Sequence, residues 1–293
     1  MSAVLAASTA PQRVEQTPGK RALRRLLRRR TAVFGLIVVV LMALLAIFAP
    51  WVAPFDPLAT SFAMVRKAPS AAHWFGTDEL GRDILARVIY GARASLLAGA
   101  ISVGIALSIG VPLGLLSGYR GGFIDALISR MTDAMLACPF LILAIALAAF
   151  LGPSLGNAMI AIGISATPIF VRLTRGQVMS VKVEDYVEAA RAMGNPRWRI
   201  ALFHILPNIM PALLVQATLS IAAAIIAEAA LSFLGLGQQP PAPSWGSMLN
   251  VAQRFLTNAP WMAVWQGLEI FLVVLSFNLV GDGLRDALDP RER

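Results

Sequence analysis

Residues 182–207, KVEDYVEAARAMGNPRWRIALFHILP, form a polar and basic interval between apolar segments, and their reading decides the fold. Val183, Val187 and Ala190 recur at helical spacing on one side, with Glu184, Glu188 and Arg191 on the other, so the spacing predicts an amphipathic helix. Gly194 ends it, because glycine adopts the left-handed conformation that closes a helix. Asn195-Pro196 then supplies a cap and a first-turn proline for a second helix through Trp198, Leu202 and Ile205. Such a two-helix unit is too polar for lipid and belongs on a surface.

Everything around it is apolar. The 293 residues are 57% hydrophobic and 14% charged, with mean hydropathy +0.70, the composition of a polytopic membrane protein. A net charge of +9 raises the question of nucleic acid, but the basic residues cluster in particular loops and no aromatic-basic binding module accompanies them. Cys138 is the one cysteine, so no internal disulfide or cysteine metal cluster can form.

In chain order, residues 1–30 read as a mobile basic cytoplasmic tail. Arg24, Arg25, Arg28, Arg29 and Arg30 precede an apolar run over 33–49, an uncleaved first span assigned to 31–53. Topology and attraction to anionic lipid account for those arginines. Residues 54–91 form an external loop with a short helix, and 92–281 hold five further spans around the loop at 182–207. The runs are 94–116, 134–151, 158–171, 209–234 and 262–280, each set against a bilayer core of about 30 Å. Pro139, Pro168 and Pro211 mark kinks or helix starts. Residues 282–293 read as a cytoplasmic C-terminal tail.

Six spans place both termini on one side. Lys and Arg on that side number eight in the N-terminal stretch, two between the second and third spans, six around residues 172–199 and three at the C-terminus, nineteen in all. The other side holds six, so the positive-inside rule puts both termini and the 182–207 unit in the cytoplasm.

On the outer side, Thr77 is placed to cap a helix with Asp78 and Glu79 in its first turn, and Asp78 with Arg82 and Asp83 with Arg87 make i,i+4 pairs. With one imidazole, His73, and no calcium-ligand spacing, these residues read as a capped surface helix rather than a metal site. Residues 235–260 include GLGQQPPAPSWGSML, a rigid irregular connector in which Trp245 and Trp261 suit the interfacial belt, and a surface for an external protein.

Ionisable residues inside spans are costly, which singles out Glu228 and Glu269 as candidates for a translocation path. Their positions put both roughly 9 to 12 Å below the outer surface. Two readings stand: they favour a cationic group on a solute, or each is neutral or hydrogen-bonded to a neighbouring helix. Ala223, Ala224 and Ala227 beside Glu228 read as close-packing residues. The two histidines, His73 and His204, are predicted on opposite sides of the membrane, so no hydrolytic triad forms and the chain is not an enzyme of that type. No phosphate-binding loop G-x-x-x-x-G-K-[ST] occurs, so any ATP is hydrolysed by another chain.

The 182–207 unit resembles the EAA loop of ABC importer permeases, with Glu188, Ala189, Ala190, Gly194, Leu206 and Pro207 on the pattern and His204 where that pattern has Ile. RRLLRRRTAVFGLIVVV, HWFGTDELGRD, GQVMSVKVEDYVEAARAMG, HILPN, EAALSFLGLG, PSWGSML and FNLVGDGLRDALDP extend the likeness from about Arg24 to Pro290. Together they resemble the C-type permease subunit of dipeptide and oligopeptide ABC importers. The resemblance implies an all-α type I importer permease fold in the cell inner membrane, with Tyr186, Glu188, Ala189, Ala190, Gly194, Leu206 and Pro207 coupling to ATPases. It implies a homologous B-type permease, two ABC ATPase subunits carrying ATP and Mg, and an external solute-binding protein as partners, with no cofactor in this chain. Nickel, glutathione and opines are alternative cargoes of such machinery. A rival from another class is an ATP-independent secondary transporter using Glu228 and Glu269 as proton sites.

Overall fold

Apolar segments leave water most readily as helices, because each backbone N–H and C=O then finds its partner within the segment. The computed structural model, which describes residues 23–288, is built accordingly, and an isolated bridge between Thr77 and Asp83 is the β pairing recorded among them. The main helices are α1 (Arg30–Ile47), α2 (Ile84–Arg120), α3 (Gly122–Leu136), α4 (Phe140–Leu151), α5 (Leu155–Val181), α6 (Asp185–Ala192), α7 (Leu206–Phe233), α8 (Trp245–Ala252) and α9 (Trp261–Leu288). The tail expected over 1–30 lies outside the described residues as far as residue 22, and the expected C-terminal tail does so from residue 289. Over 282–288 that tail is instead the last two turns of α9.

Among the described residues, five segments are long and apolar enough to cross a bilayer: α1, α2, α5, α7 with the turns leading into it from Arg197, and α9. The sixth is not the single helix expected over 134–151. There the chain forms α3 and α4, which are long and apolar enough only as a pair and are bent by 91° across Ala137 to Pro139. Proline has no N–H to donate and pushes the residue before it out of the α region, so Cys138-Pro139 breaks the ladder where the apolar run is still continuous. Pro112, Pro168 and Pro211, by contrast, lie inside helices.

The short outer helix capped by Thr77 is absent too. Gly76 and Gly81, at φ +78 and +73, turn the chain, and Asp83 caps α2 directly by accepting from the Ala86 N–H at 2.8 Å. The Thr77 hydroxyl donates to the Met64 carbonyl and accepts from Lys67 N–H, fastening the loop to itself.

α2 and α5 run parallel as the axis of the bundle. Gly110, Gly114 and Gly118, one turn apart on α2, face α5 so closely that a Cβ would lie 2.7 Å from the Cβ of Phe170, 2.5 Å from that of Thr174 and 2.9 Å from the Arg175 carbonyl. Small residues at this spacing let backbones approach in a membrane. α7 runs antiparallel to α2 and to α9, with Gly99 against Ile221 and Ile225, and Gly281 against Leu219. Arg29 pairs with Asp286, so the two ends of the described chain meet at the end of the bundle that carries α6.

At the opposite end, residues 235–260 are more ordered than an irregular connector. Ser244 and Ser247 form a capping box that starts α8, which packs between α7 and α9. Trp245 is not in an interfacial belt: it is fully buried and its indole N–H donates to the Val88 carbonyl at 3.1 Å.

Candidate functional site

α6 is built by its own short sequence. Asp185 and Glu188 stand in its first turn and Arg191 in its last, each opposite in sign to the adjacent end of the helix dipole. Val187 and Ala190 are buried in the main core with Ile200, Ile205 and Val178, while Tyr186, Glu188 and Ala189 face out. Val183, expected on the buried side, precedes the helix and is exposed. Gly194 sits at φ +76, and the Asn195 N–H and side-chain amide both donate to the Ala190 carbonyl, at 3.3 and 3.0 Å, closing the helix end.

The second helix of the unit is one α turn, Arg197–Arg199, followed by a π-helical stretch, Ile200–Ile205, that runs without a break into α7. Leu206 packs on the core and Pro207 occupies the first turn of α7, where a missing N–H is harmless. Ala190 and Leu206 therefore share one packed cluster, and Tyr186, Glu188 and Ala189 form its open face. Val187 and Ala190 thus seat α6 in the same core cluster as Ile200 and Ile205 of the π-helical segment that continues into α7.

Glu228 and Glu269 are in different situations. Glu228 is fully buried and both its oxygens are satisfied: Ser95 Oγ of α2 donates to Oε2 at 2.9 Å and Ser232 Oγ to Oε1 at 2.6 Å. Ser232 also accepts from the Gln238 N–H at 3.0 Å, so the carboxylate ties α2 and α7 to the turn leading to α8. Glu269 is part-buried, and its Oε2 has no hydrogen-bond partner among the described residues, as is true of the neighbouring Trp265 Nε1 and Gln266 Oε1 on α9. No hydrogen bond joins the two glutamates among the described residues. Of the alanines, Ala224 and Ala227 are buried, and Ala223 lines a cavity of about 50 Å³ with Ser102, Phe140 and Ser220.

A set of charges that sequence reasoning assigned to loops turns out to clasp α3 to α5. Arg175 donates twice to Asp125, at 2.6 and 2.8 Å, and Arg172 donates to Asp133 at 2.6 Å. Lys182 Nζ donates to the Gly118 carbonyl at 2.9 Å, fixing the chain where it leaves α5 for α6. The signal in the sequence was the eight-residue spacing of the two aspartates and the three-residue spacing of the two arginines; what it lacked was any sign that they pair.

A second polar cluster closes the opposite end. Arg82 donates to Asp78 and Glu79, both at 2.6 Å, Arg87 lies 3.3 Å from Asp78, and His73 Nδ1 lies 2.8 Å from Asp83. The expected Asp78–Arg82 pair is present, but Arg87 turns to Asp78 rather than Asp83. Burial, with the Asp78 charge beside it, pushes the Glu79 carboxyl above the usual carboxylate range. The carboxylates are thus engaged by arginine and histidine, an arrangement that seals the loop over 54–83 onto α2.

Residues 110–293 match the model of the binding-protein-dependent transport system inner membrane component, and residues 17–69 that of the N-terminal TM domain of oligopeptide transport permease C. The chain is 50% identical to the dipeptide transport system permease protein DppC of Alkalihalophilus pseudofirmus, over 94% of this chain and 90% of that protein. It is 47% identical to the di/tripeptide transport system permease protein DppC of Pseudomonas aeruginosa, over 96% and 95%. Identity to the glutathione transport system permease protein GsiD of Pectobacterium atrosepticum is 44%, over 94% and 92%. In fold it is similar to a chain of the inward-facing MetNI methionine ABC transporter, with a TM-score of 0.57 at 22% identity, covering 70% of this chain and 98% of that one. With one family model spanning α3 to α9 and relatives near half-identical over almost its whole length, the chain belongs to the family of binding-protein-dependent transport system inner membrane components, the multi-pass permeases of ABC importers.

Proposed function

We propose that this chain forms half of the translocation pathway of an ATP-driven importer of di- and oligopeptides. A homologous permease supplies the other half, two separate ATPase subunits bind and hydrolyse ATP with Mg, and an external solute-binding protein delivers the peptide. The α6 end and both chain ends face the cytoplasm, as the excess of Lys and Arg there supports. α6 is the coupling element, with Tyr186, Glu188 and Ala189 presented to an ATPase and Ala190, Gly194, Leu206 and Pro207 holding it to α7.

The observation that carries the proposal is the packing of α6: an exposed polar face backed by Val187 and Ala190, fully buried on the π segment that continues into α7. Inverting a strongly biased two-state equilibrium takes about 5.5 kcal/mol of differential binding, and a small rigid contact can transmit that where a loose loop cannot. The dipeptide and di/tripeptide permeases among the relatives support the substrate class; the glutathione permeases favour one second reading, a glutathione importer on the same machinery.

Reconstitution of the permease pair in vesicles, with and without ATPases and binding protein, tests the proposal. Dipeptide uptake is expected to require all components and ATP hydrolysis. Uptake driven by a proton gradient with no ATPase present would instead establish the secondary-transporter reading. Competition between dipeptide and glutathione in the full system separates the two cargoes.

A further inference from the structure

α3 has its polarity the wrong way round for a helix in water. Its acidic residues are both taken up by α5, Asp125 half-buried on Arg175 and Asp133 in an exposed pair with Arg172. Its outer side carries Phe123, Leu127 and Met131 at i, i+4 and i+8, with Phe123 82% and Met131 64% exposed. Arg130, seven residues or two turns after Phe123, opens on that same outer side. Neither Arg130 nor Arg120, just before α3, has a carboxylate partner among the described residues. The 91° bend at Ala137 to Pro139 sets α3 across the bundle, since α4 packs along α5.

Such a face suits neither of two simple surroundings. Three large apolar side chains are out of place in water, and an unpaired guanidinium is out of place in hydrocarbon. The membrane boundary satisfies both, with the apolar side chains in the acyl region and the arginine reaching the phosphates. Because Asp125 and Asp133 are paired with Arg175 and Arg172, the charges left unpaired at α3, Arg130 and the adjoining Arg120, are positive.

We infer that α3 is an in-plane anchor that binds anionic phospholipid headgroups, with Arg130 and Arg120 as the phosphate contacts and Phe123, Leu127 and Met131 as the inserted side chains. Which leaflet it occupies rests on the orientation proposed above; that it binds anionic lipid does not. Through Arg172 and Arg175 the anchor holds the last turns of α5, from which the chain enters α6, so anionic lipid steadies the mounting of the coupling element.

The test uses the assembled transporter in nanodiscs of phosphatidylcholine with increasing phosphatidylglycerol. A Cys138→Ser background carries a fluorophore on Leu127→Cys, read with lipid-borne and water-soluble quenchers. Quenching by the lipid-borne agent should rise with phosphatidylglycerol, and Arg120→Gln with Arg130→Gln should shift that response by roughly fivefold in anionic lipid for each arginine. Excess soluble glycerol phosphate should leave it unchanged, which separates a bilayer headgroup from a free phosphate. A response indifferent to phosphatidylglycerol overturns the inference. So does a photocrosslinker at position 127 that captures the other permease instead of lipid. Side-specific labelling of Val183→Cys in sealed vesicles reports orientation separately, so an error there is distinguishable from a failure of lipid binding.

Discussion

At Gly194 the backbone stands at φ +76 while a Cβ would meet no atom within 4 Å, so a side chain there is penalised by conformation and not by space. A left-handed residue with a Cβ costs about 1–2 kcal/mol, more when it is β-branched, whereas asparagine enters that region with a local hydrogen bond. Gly194→Val should therefore abolish ATP-driven uptake with normal amounts of protein in the membrane, and Gly194→Asn should retain much of it. Transport assays beside immunoblots of the membrane fraction check both; wild-type uptake by the valine variant would remove Gly194 from the coupling element. Glu228 gives a contrasting case, because its neighbours depend on it as an acceptor. Glu228→Leu strands the hydroxyls of Ser95 and Ser232 in the interior and should cost about 1–3 kcal/mol, while Glu228→Gln keeps an acceptor and loses less. Thermal unfolding of the purified complex reads the difference, with the leucine variant melting at the lower temperature.

Among the elements, α6 works only while its buried side stays seated. Val187→Asp would put an unpaired carboxylate against Ile200 and Ile205, a penalty of about 3–5 kcal/mol that the segment can escape by lifting off. The expected result is faster proteolysis confined to residues 182–199 and loss of uptake, with the other helices protected; protection equal to wild type would show that α6 is not held by this contact. Why α6 was readable in advance while α3 was not follows from the range of the interactions. The amphipathic period of Asp185–Ala192 and the stop at Gly194 are written within ten residues. Pro139 announced a break, but where α3 goes after the 91° bend is fixed by Arg172 and Arg175 pairing with aspartates 39 and 50 residues earlier, and no local pattern encodes that. The same holds for Trp245: among prolines and glycines it looks interfacial, yet the Ser244 cap starts a helix that carries it under α2, where it meets the Val88 carbonyl.

In the whole molecule α6 and the two candidate path glutamates lie toward opposite ends of one bundle, so on the proposed function a path carboxylate would meet the solute while α6 meets the motor. Of the two glutamates, Glu228 has both oxygens hydrogen-bonded by serines, and Glu269 retains an oxygen with no partner among the described residues. If peptides pass Glu269, its charge acts on their ammonium groups alone. At about 4 Å and an effective dielectric of about 20, that attraction is bounded near 4 kcal/mol, and tenfold in rate needs only about 1.4 kcal/mol of it. Glu269→Gln should then slow uptake of a peptide with a free amino terminus by about tenfold relative to its N-acetylated counterpart, and adding Glu228→Gln should change that ratio little. Equal slowing of both peptides would assign Glu269 to packing between helices, and unchanged uptake of both would take it off the path. A ratio that moves only with Glu228→Gln would mean that the seryl-bonded carboxylate swings free during transport and that its bonds to Ser95 and Ser232 belong to one state of the cycle.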